Sequence, residues 1–514
     1  GVTFNNAKRW LHLFLVAGPT FQPSDVAKVT VIIFFAARLS KRGTEKKRKF
    51  SKRTATGRLL NFMEKIGLLE LLPYIGVLGL VLLLGTGLLT TAITRFFQVI
   101  HVAEWWKNTI GSMFKKDVIG HSNDKSISPF QALCTALAAT IGVGNIAGVA
   151  SAIAIGGPGA VFWMWVAAFF GMATKYAECL LAVKFRTVDD NGNISGGPMY
   201  YIEKGMGEKY KPLAVMFAAF GVMCAYFGIG TFAQVNSIVE ITQISAGIPV
   251  IYTGIALTVL VGVVTIGGLK SIASVAEKIV PGMAVIYLIS TVGILVANAD
   301  QVPAAIALVI DSAFNGTAAV GGFAGAGMML AMRSGVARGV FSNESGLGSA
   351  PIVAAAAQTR NPVRQALVSS TGTFWDTVVV CAITGLVLVS SVVAPNGIDG
   401  SHGAGLTEAA FSVIPVFGPL VMTIGLLTFA FSTILGWSYY GERCMEYLGG
   451  KRVIKIYRLV WIVAVYLGCV VNLQLVWDFA DAMNALMAIP NLIGVIGLYK
   501  VIKNTTKEHF IQNK

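Results

Sequence analysis

Apolar positions along this chain gather into long runs separated by charged or Pro/Gly-rich breaks. Eleven such runs can be marked, at 72–98, 130–155, 158–183, 212–243, 249–267, 279–298, 314–334, 366–393, 411–440, 455–472 and 476–500. Many reach the roughly 20 residues a helix needs to cross about 30 Å of hydrocarbon. Segments of about 10 residues with alternating polarity, the mark of a membrane β-barrel, do not occur. The pattern predicts an all-α polytopic membrane protein with eleven spans.

Polar positions then orient it. The breaks near 299–310, 394–408 and 473–476 contain no Lys or Arg, whereas those near 184–211, 333–364 and 443–458 are rich in both, and Lys500, Lys503, Lys507 and Lys514 follow the last run. Cytoplasmic loops retain positive charge, so the carboxyl terminus is expected in the cytoplasm. Composition agrees with a membrane assignment: of 514 residues 55% are hydrophobic and only 13% charged, against about 25% in soluble domains.

The formal charge of +15 is concentrated at one end. Residues 1–60 hold 13 Lys or Arg against Asp25 and Glu45, a net +11. The run from Arg38 to Arg58 adjoins apolar sequence and carries only Phe50 as an aromatic, so a juxtamembrane flank is expected and nucleic-acid binding is not. Alternating the loops back from the carboxyl terminus puts these bases on the outer face, against the rule the other loops obey. Residues 8–42 also read KRWLHLFLVAGPTFQPSDVAKVTVIIFFAARLSKR. Through Phe21, Gln22, Pro23, Ser24, Ala27 and Lys28, with Asp25 in place of Glu, they resemble the FQPSE-type segment of the SEDS family of lipid-II glycan polymerases. We therefore expect residues 1–61 to be an atypical basic segment, either a fused or misassigned SEDS-like fragment, with Met63 a candidate native start, or a genuine amphipathic extension. Residues 62–128 would supply the first transmembrane helix and a cytoplasmic loop.

Ten runs remain, five before the external break at 299–310 and five after it. An odd number per half makes the halves face opposite ways, the layout of many secondary transporters. The expected inverted repeats are residues 129–300 and 301–514. The first run of each half carries a glycine cluster, from Thr140 to Gly148 and from Gly321 to Met328. A helix-interior glycine costs about 1 kcal/mol relative to alanine. Either the clusters serve close helix packing, or the helices unwind at the midplane to offer bare peptide dipoles to a ligand. The six cysteines and five histidines are scattered without metal-ligand spacing, and no GxxxxGK[ST] loop is present, so zinc, a disulfide framework and ATP-driven transport are not expected.

The segments GVGNIAG (142–148), GGPGAVFWMW (156–165), GMATKYAE (171–178), GGPMYYIEKG (196–205), RGVFSNESGLGSAP (338–351) and GWSYYGERC (436–444) together resemble the alanine or glycine:cation symporter family, from about Leu68 to Lys503. The resemblance implies a LeuT-like five-plus-five inverted repeat with one preceding helix, in a prokaryotic plasma (inner) membrane. It implies import of alanine or glycine with Na⁺, or less often H⁺, by alternating access. No cofactor is expected beyond Na⁺ as coupling ion, and the expected partners are the small neutral amino acid, Na⁺ and the lipid bilayer. About fifty residues speak for the glycan-polymerase alternative and over four hundred for a carrier, so an enzyme is not expected.

On that basis the amides near Val143 and Gly144 would receive the substrate carboxylate and Gln234 its ammonium. Phe232 or Trp437 would cap the pocket, or simply pack, and Gly325 and Met328 would border it from the second half. The cation would lie between the carbonyls of Ala138 and Ile141 and the hydroxyls of Ser432 and Thr433, with Asn145 near the broken turn. Na⁺ accepts such neutral oxygens. Asp376 is the carboxylate placed deepest by sequence, and as a proton site it would favour H⁺ coupling. Glu178 and Lys175 are expected to form an interfacial ion bridge.

Overall fold

The computed structural model describes residues 68–113, 127–188, 194–315, 327–359, 361–394, 403–415, 417–470 and 473–512. The chain divides into two units at Val81/Leu82. The described part of the first is the leading half of helix α1 (Leu68–Ile93). In the second the order is α2 (Val102–Met113), α3 (Pro129–Thr140), α4 (Ala147–Gly156), α5 (Gly159–Lys184), α6 (Pro198–Met206), α7 (Lys211–Phe227), α8 (Phe232–Ala246), α9 (Val250–Ile266) and α10 (Gly268–Ala297). There follow α11 (Val302–Asn315), α12 (Met328–Asn343), α13 (Ala350–Ala354), α14 (Pro362–Thr373), a π-helical stretch at Phe374–Cys381, α15 (Ala382–Val393), α16 (Gly403–Phe411), α17 (Phe417–Gly449), α18 (Ile454–Gly468), α19 (Leu473–Gly497) and α20 (Tyr499–Gln512). A two-residue antiparallel ladder pairs Thr187–Val188 with Ile194–Ser195.

Among the described residues six helical segments are long and apolar enough to cross a membrane. Their environments differ. The most apolar window of α5 is 83% buried inside the protein, that of α10 only 33%. The outer faces of α9 and α10 display Val263, Ile289 and Val296, each at least 67% exposed, as a surface meeting lipid would. Helix α5 is thus an interior post, with α12 and α14 packed along it.

Local chemistry fixes the ends that matter. Helix α3 starts on a capping box, Ser128 Oγ accepting from the Gln131 N–H (3.0 Å) and Gln131 Oε1 from the Ser128 N–H (3.0 Å), with Pro129 in the first turn. Just before it, Ile127 pairs with Ala357 in a parallel bridge, and the Gln358 N–H donates to the Ile127 carbonyl at 2.9 Å. Arg186, past the end of α5, donates to the carbonyls of Ala355 and Ala357 (3.0 and 2.8 Å) and of Thr359 (2.6 Å). Helix α12 is tied to α19 by a bidentate pair, Arg338 to Asp481 at 3.0 and 3.2 Å.

Two expectations are corrected. Among the described residues of the seventh apolar run, 314–334, α12 begins at Met328 after an extended Gly327, and the interruption it leads to lies at 344–349; residues 321–326 of the glycine cluster lie outside the described residues. Glu344, Gly346 and Gly348 all have positive φ (57°, 86° and 81°), a conformation that cannot continue a right-handed helix. Lys175 and Glu178 do not form the expected direct ion bridge: both are buried (2% and 0% exposed), and among the described residues the Lys175 ammonium has no hydrogen-bond partner.

Candidate functional site

The first interruption separates α3 from α4. Ile141 and Gly142 are extended (ψ 92° and −155°), Val143–Asn145 form a single 3₁₀ turn, and α4 starts at Ala147. Unwinding strips backbone groups of their helical partners, and side chains take them over. The Gly142 N–H donates to Asn145 Oδ1 at 2.9 Å, and the Val143 N–H to Gln234 Oε1 at 3.1 Å. Gln234, in the first turn of α8, donates its own amide to the Ile229 carbonyl at 3.0 Å. A side chain on Gly142 would come within 2.5 Å of Thr433 Oγ1 and 3.1 Å of Gln234 Oε1, so glycine is a steric requirement there.

At the carbonyl end of α3, Ser432 Oγ donates to the Ala138 carbonyl at 3.1 Å, while Thr433 Oγ1 lies 3.1 Å from that oxygen and 3.4 Å from the Ile141 carbonyl. Both hydroxyls also reach back to the Phe429 carbonyl of their own helix, at 2.9 and 3.0 Å. All four residues are at most 2% exposed. The structure thus assembles Ala138, Ile141, Ser432 and Thr433 into one cluster of neutral oxygens, with Val143 and Gln234 beside it.

The second interruption, Glu344–Ser349, is held by side chains around it. The Glu344 carboxylate accepts from Ser349 Oγ (2.5 Å) and from Trp437 Nε1 (2.7 Å). Asn343 Oδ1 accepts the Ser345 N–H at 2.9 Å, Ser345 Oγ bonds Thr373 Oγ1 at 2.8 Å, and Asn491 Nδ2 donates to the Gly346 carbonyl at 2.9 Å. The two interruptions meet where Gly144 faces the end of α12: a Cβ there would lie 3.1 Å from the Phe341 ring and 3.2 Å from Ser342 Cα.

Asp376, fully buried in the π-helical stretch, joins them. Its Oδ1 accepts from Asn145 Nδ2 (2.8 Å), and its Oδ2 from Ser342 Oγ (2.9 Å) and Thr377 Oγ1 (2.7 Å). Thr377 in turn accepts from Asn343 at 2.9 Å. One carboxylate therefore grips a residue of the first break and, through α12, the edge of the second.

Other expected residues fall elsewhere. Trp437 is fully buried with its indole N–H committed to Glu344, a tie to the second interruption. Phe232 packs edge-on against Phe227 (5.4 Å between centroids) and over Gly468 of α18. Met328 is 45% exposed at the start of α12, and its distance along the helix from Ser342 is about 21 Å; Gly325 lies outside the described residues. Glu344, Ser342, Thr377 and Asn491 were not among the expected residues. Thr377 and Asn491 are polar residues in mid-run, whereas the SNES of 342–345 fell in the 333–364 break read as a cytoplasmic loop and so was passed over.

The chain matches the sodium:alanine symporter family over residues 67–514, and residues 1–117 match a family described as cell cycle protein. It is 54% identical over 433 residues to an uncharacterized transporter of Haemophilus influenzae, covering 84% of this chain and 92% of that protein. It is 50% identical over 434 residues to the sodium/alanine symporter AgcS of Methanococcus maripaludis (83% and 93% covered). To the probable sodium/glutamine symporter GlnT of Bacillus subtilis it is 37% identical over 439 residues (85% and 88%). The crystal structure of MhsT in complex with L-phenylalanine superposes with a TM-score of 0.52 at 13% identity, covering 76% of this chain and 99% of that one, which shows a LeuT-like fold. The relatives are carriers, which sets aside the glycan-polymerase alternative. With the family match covering all but the first 66 residues, this chain belongs to the sodium:alanine symporter family, and its work is sodium-coupled transport of a small amino acid across a membrane.

Proposed function

We propose that the chain imports alanine or glycine with Na⁺ across a prokaryotic plasma membrane, its carboxyl terminus in the cytoplasm, by alternating access around the first interruption. The supporting observation is the meeting of the Ser432 and Thr433 hydroxyls with the Ala138 and Ile141 carbonyls. A hard monovalent ion takes neutral oxygens of this kind. Rotating the two hydroxyl protons away would leave four oxygens facing one point, and Asn145 holds the turn beside it.

The substrate's carboxylate would settle on the Val143 and Gly144 N–H groups near the amino end of α4, where the helix dipole favours negative charge. Val143 now donates to Gln234 Oε1. A carboxylate arriving at that N–H would displace this oxygen and free it to accept from the substrate's ammonium, so one exchange would serve both ends of the zwitterion. On this reading the inverted repeats are residues 129–300 and 301–514, the first interrupted between α3 and α4 and the second after α12.

The test is uptake of labelled alanine and glycine by the full chain in liposomes. Accumulation is expected only under an inward Na⁺ gradient; equal accumulation after collapse of every cation gradient would overturn the reading. Gln234→Ala should abolish substrate binding while the protein stays folded.

A further inference from the structure

Helix α20 follows the last apolar run and is fastened at four successive points. Thr505 and Thr506 are buried against α5, where Thr505 Oγ1 accepts from Lys184 Nζ at 2.7 Å and Thr506 Oγ1 bonds the Tyr176 hydroxyl at 3.0 Å. One turn on, Phe510 stacks on the ring of His101, just before α2, with 3.8 Å between centroids and 14° between planes. Between these ties, His509 Nδ1 lies 3.0 Å from Asn361 Nδ2. Asn361 is the residue that caps α14, its Oδ1 accepting the N–H groups of Val363 and Arg364 at 3.0 and 3.2 Å.

That cap decides what His509 must be. Turning the Asn361 amide round would give up both cap bonds, so its nitrogen, which only donates, is the atom that meets the imidazole. Nδ1 must then offer a lone pair, as a neutral ring with its proton on Nε2 does. A doubly protonated ring would instead set N–H against N–H across this contact. The ring is half-buried, and burial disfavours its charged form; the Glu104 carboxylate of α2 pulls the other way, and His101 adds to the burial. Among the described residues, α5 brings Lys184 and Tyr176 to the preceding turn, α14 carries Arg364 three residues after Asn361, and Lys507 and Glu508 precede the ring on α20 itself.

We propose that His509 is a pH-sensitive latch: neutral, it fastens the end of α20 to the cap of α14, and protonated, it lets that end go. The direction follows from the balance around the ring, which holds the imidazole below its ordinary value of 6.5 while docked. A histidine lowered in the docked state stabilises docking above the free value, and that contribution is lost as pH falls below about 6.5. Once detached, a helix of 14 residues is marginal in water, so release appears as fraying. The latch closes on a telling place. Asn361 lies two residues past Thr359, whose carbonyl holds Arg186, and α14 runs on into the stretch that bears Asp376. With the carboxyl terminus in the cytoplasm, as proposed above, the pH it reads is internal.

The experiment is hydrogen exchange of the amides of residues 505–512 in the full chain in detergent, at pH 7.5 and 5.5. The comparison variant is His509→Asn, whose Oδ1 stands where the imidazole carries Nδ1 and accepts from Asn361 without titrating. The ratio of wild-type to variant protection, from which the intrinsic pH dependence of exchange cancels, should fall by about threefold to tenfold between the two pH values; tenfold is the ceiling one unit below the ordinary histidine value. His509→Lys, a permanent donor, should exchange at pH 7.5 as the released helix does. A ratio that does not change with pH, or a His509→Lys helix as protected as wild type at pH 7.5, would overturn the proposal. The readout involves neither sodium nor amino acid, so it stands or falls apart from the transport reading.

Discussion

The two interruptions solve the same geometric problem by different means. At the first, Ile141 and Gly142 leave the helix with ordinary negative φ, and the break is kept open by the Asn145 and Gln234 side chains holding the freed N–H groups. At the second, Glu344, Gly346 and Gly348 take positive φ, and the turn is packed against Pro198, Phe217 and Asn491. Freed groups held by removable side-chain bonds can be passed to a ligand. A break written into backbone conformation and close packing cannot be exchanged so cheaply. The first is therefore the better place for binding chemistry, the second for architecture.

Substitutions can separate the two. Gly142→Ala drives a methyl to 2.5 Å from Thr433 Oγ1, and alanine uptake should fall about a hundredfold, with about 1–3 kcal/mol of stability lost beside it. Wild-type uptake in that variant would break the comparison. Gly348→Ala combines positive φ with contacts of 2.6 Å to Pro198 Cγ and 2.8 Å to Asn491 Cγ, and should cost about 2–4 kcal/mol of stability. A melting curve in detergent checks it, and the surviving folded protein should keep its half-saturating sodium concentration. Thr433→Val removes one hydroxyl from the oxygen cluster, and sodium titration of uptake should show the half-saturating concentration rising about tenfold, or 1.4 kcal/mol.

The smallest effect belongs to a side chain that bonds neither break. The hydrogen bond from Tyr447 (2.5 Å) and then Lys211 (2.9 Å) hold the Glu203 carboxyl below the usual carboxylate range. A carboxyl depressed in the folded state stabilises it above the unfolded value, and that contribution is lost as pH falls through the folded one. Tyr447→Phe should thus lower the melting temperature slightly at neutral pH and not at strongly acid pH, a difference below about 1 kcal/mol.

Much of the first break could be read from residues alone. Glycine clustering in an apolar run marked it, while the meeting of Ala138 and Ile141 with the Ser432–Thr433 hydroxyl pair was implied by the resemblance to the symporter family and not by the residues alone. For the second break glycine density pointed to 321–328, most of which lies outside the described residues, whereas the break the structure describes is at 344–349. The densest cluster, 321–327, precedes α12, while the actual turn starts with a glutamate in the left-handed conformation, a position whose cost is met by bonds from Ser349 and Trp437. Such bonds span up to 93 residues and leave no local trace. Asp376 was visible as a carboxylate too deep to be idle, but its grip on Asn145 crosses 231 residues and only the fold reveals it. Lys175 and Glu178, about one turn apart, were expected to form an interfacial ion bridge, because helical spacing says which side chains are neighbours and nothing about how deeply the fold buries them.

The stitching of Ile127 to Ala357, reinforced by Arg186, has a mechanical meaning. It fastens the start of α3 to the stretch just past α13, so the two broken rods and the end of α5 are tied together at that place. Parting α3 from that stretch must break the Ile127 bridge, and parting the stretch from the end of α5 must take the guanidinium off three carbonyls at once.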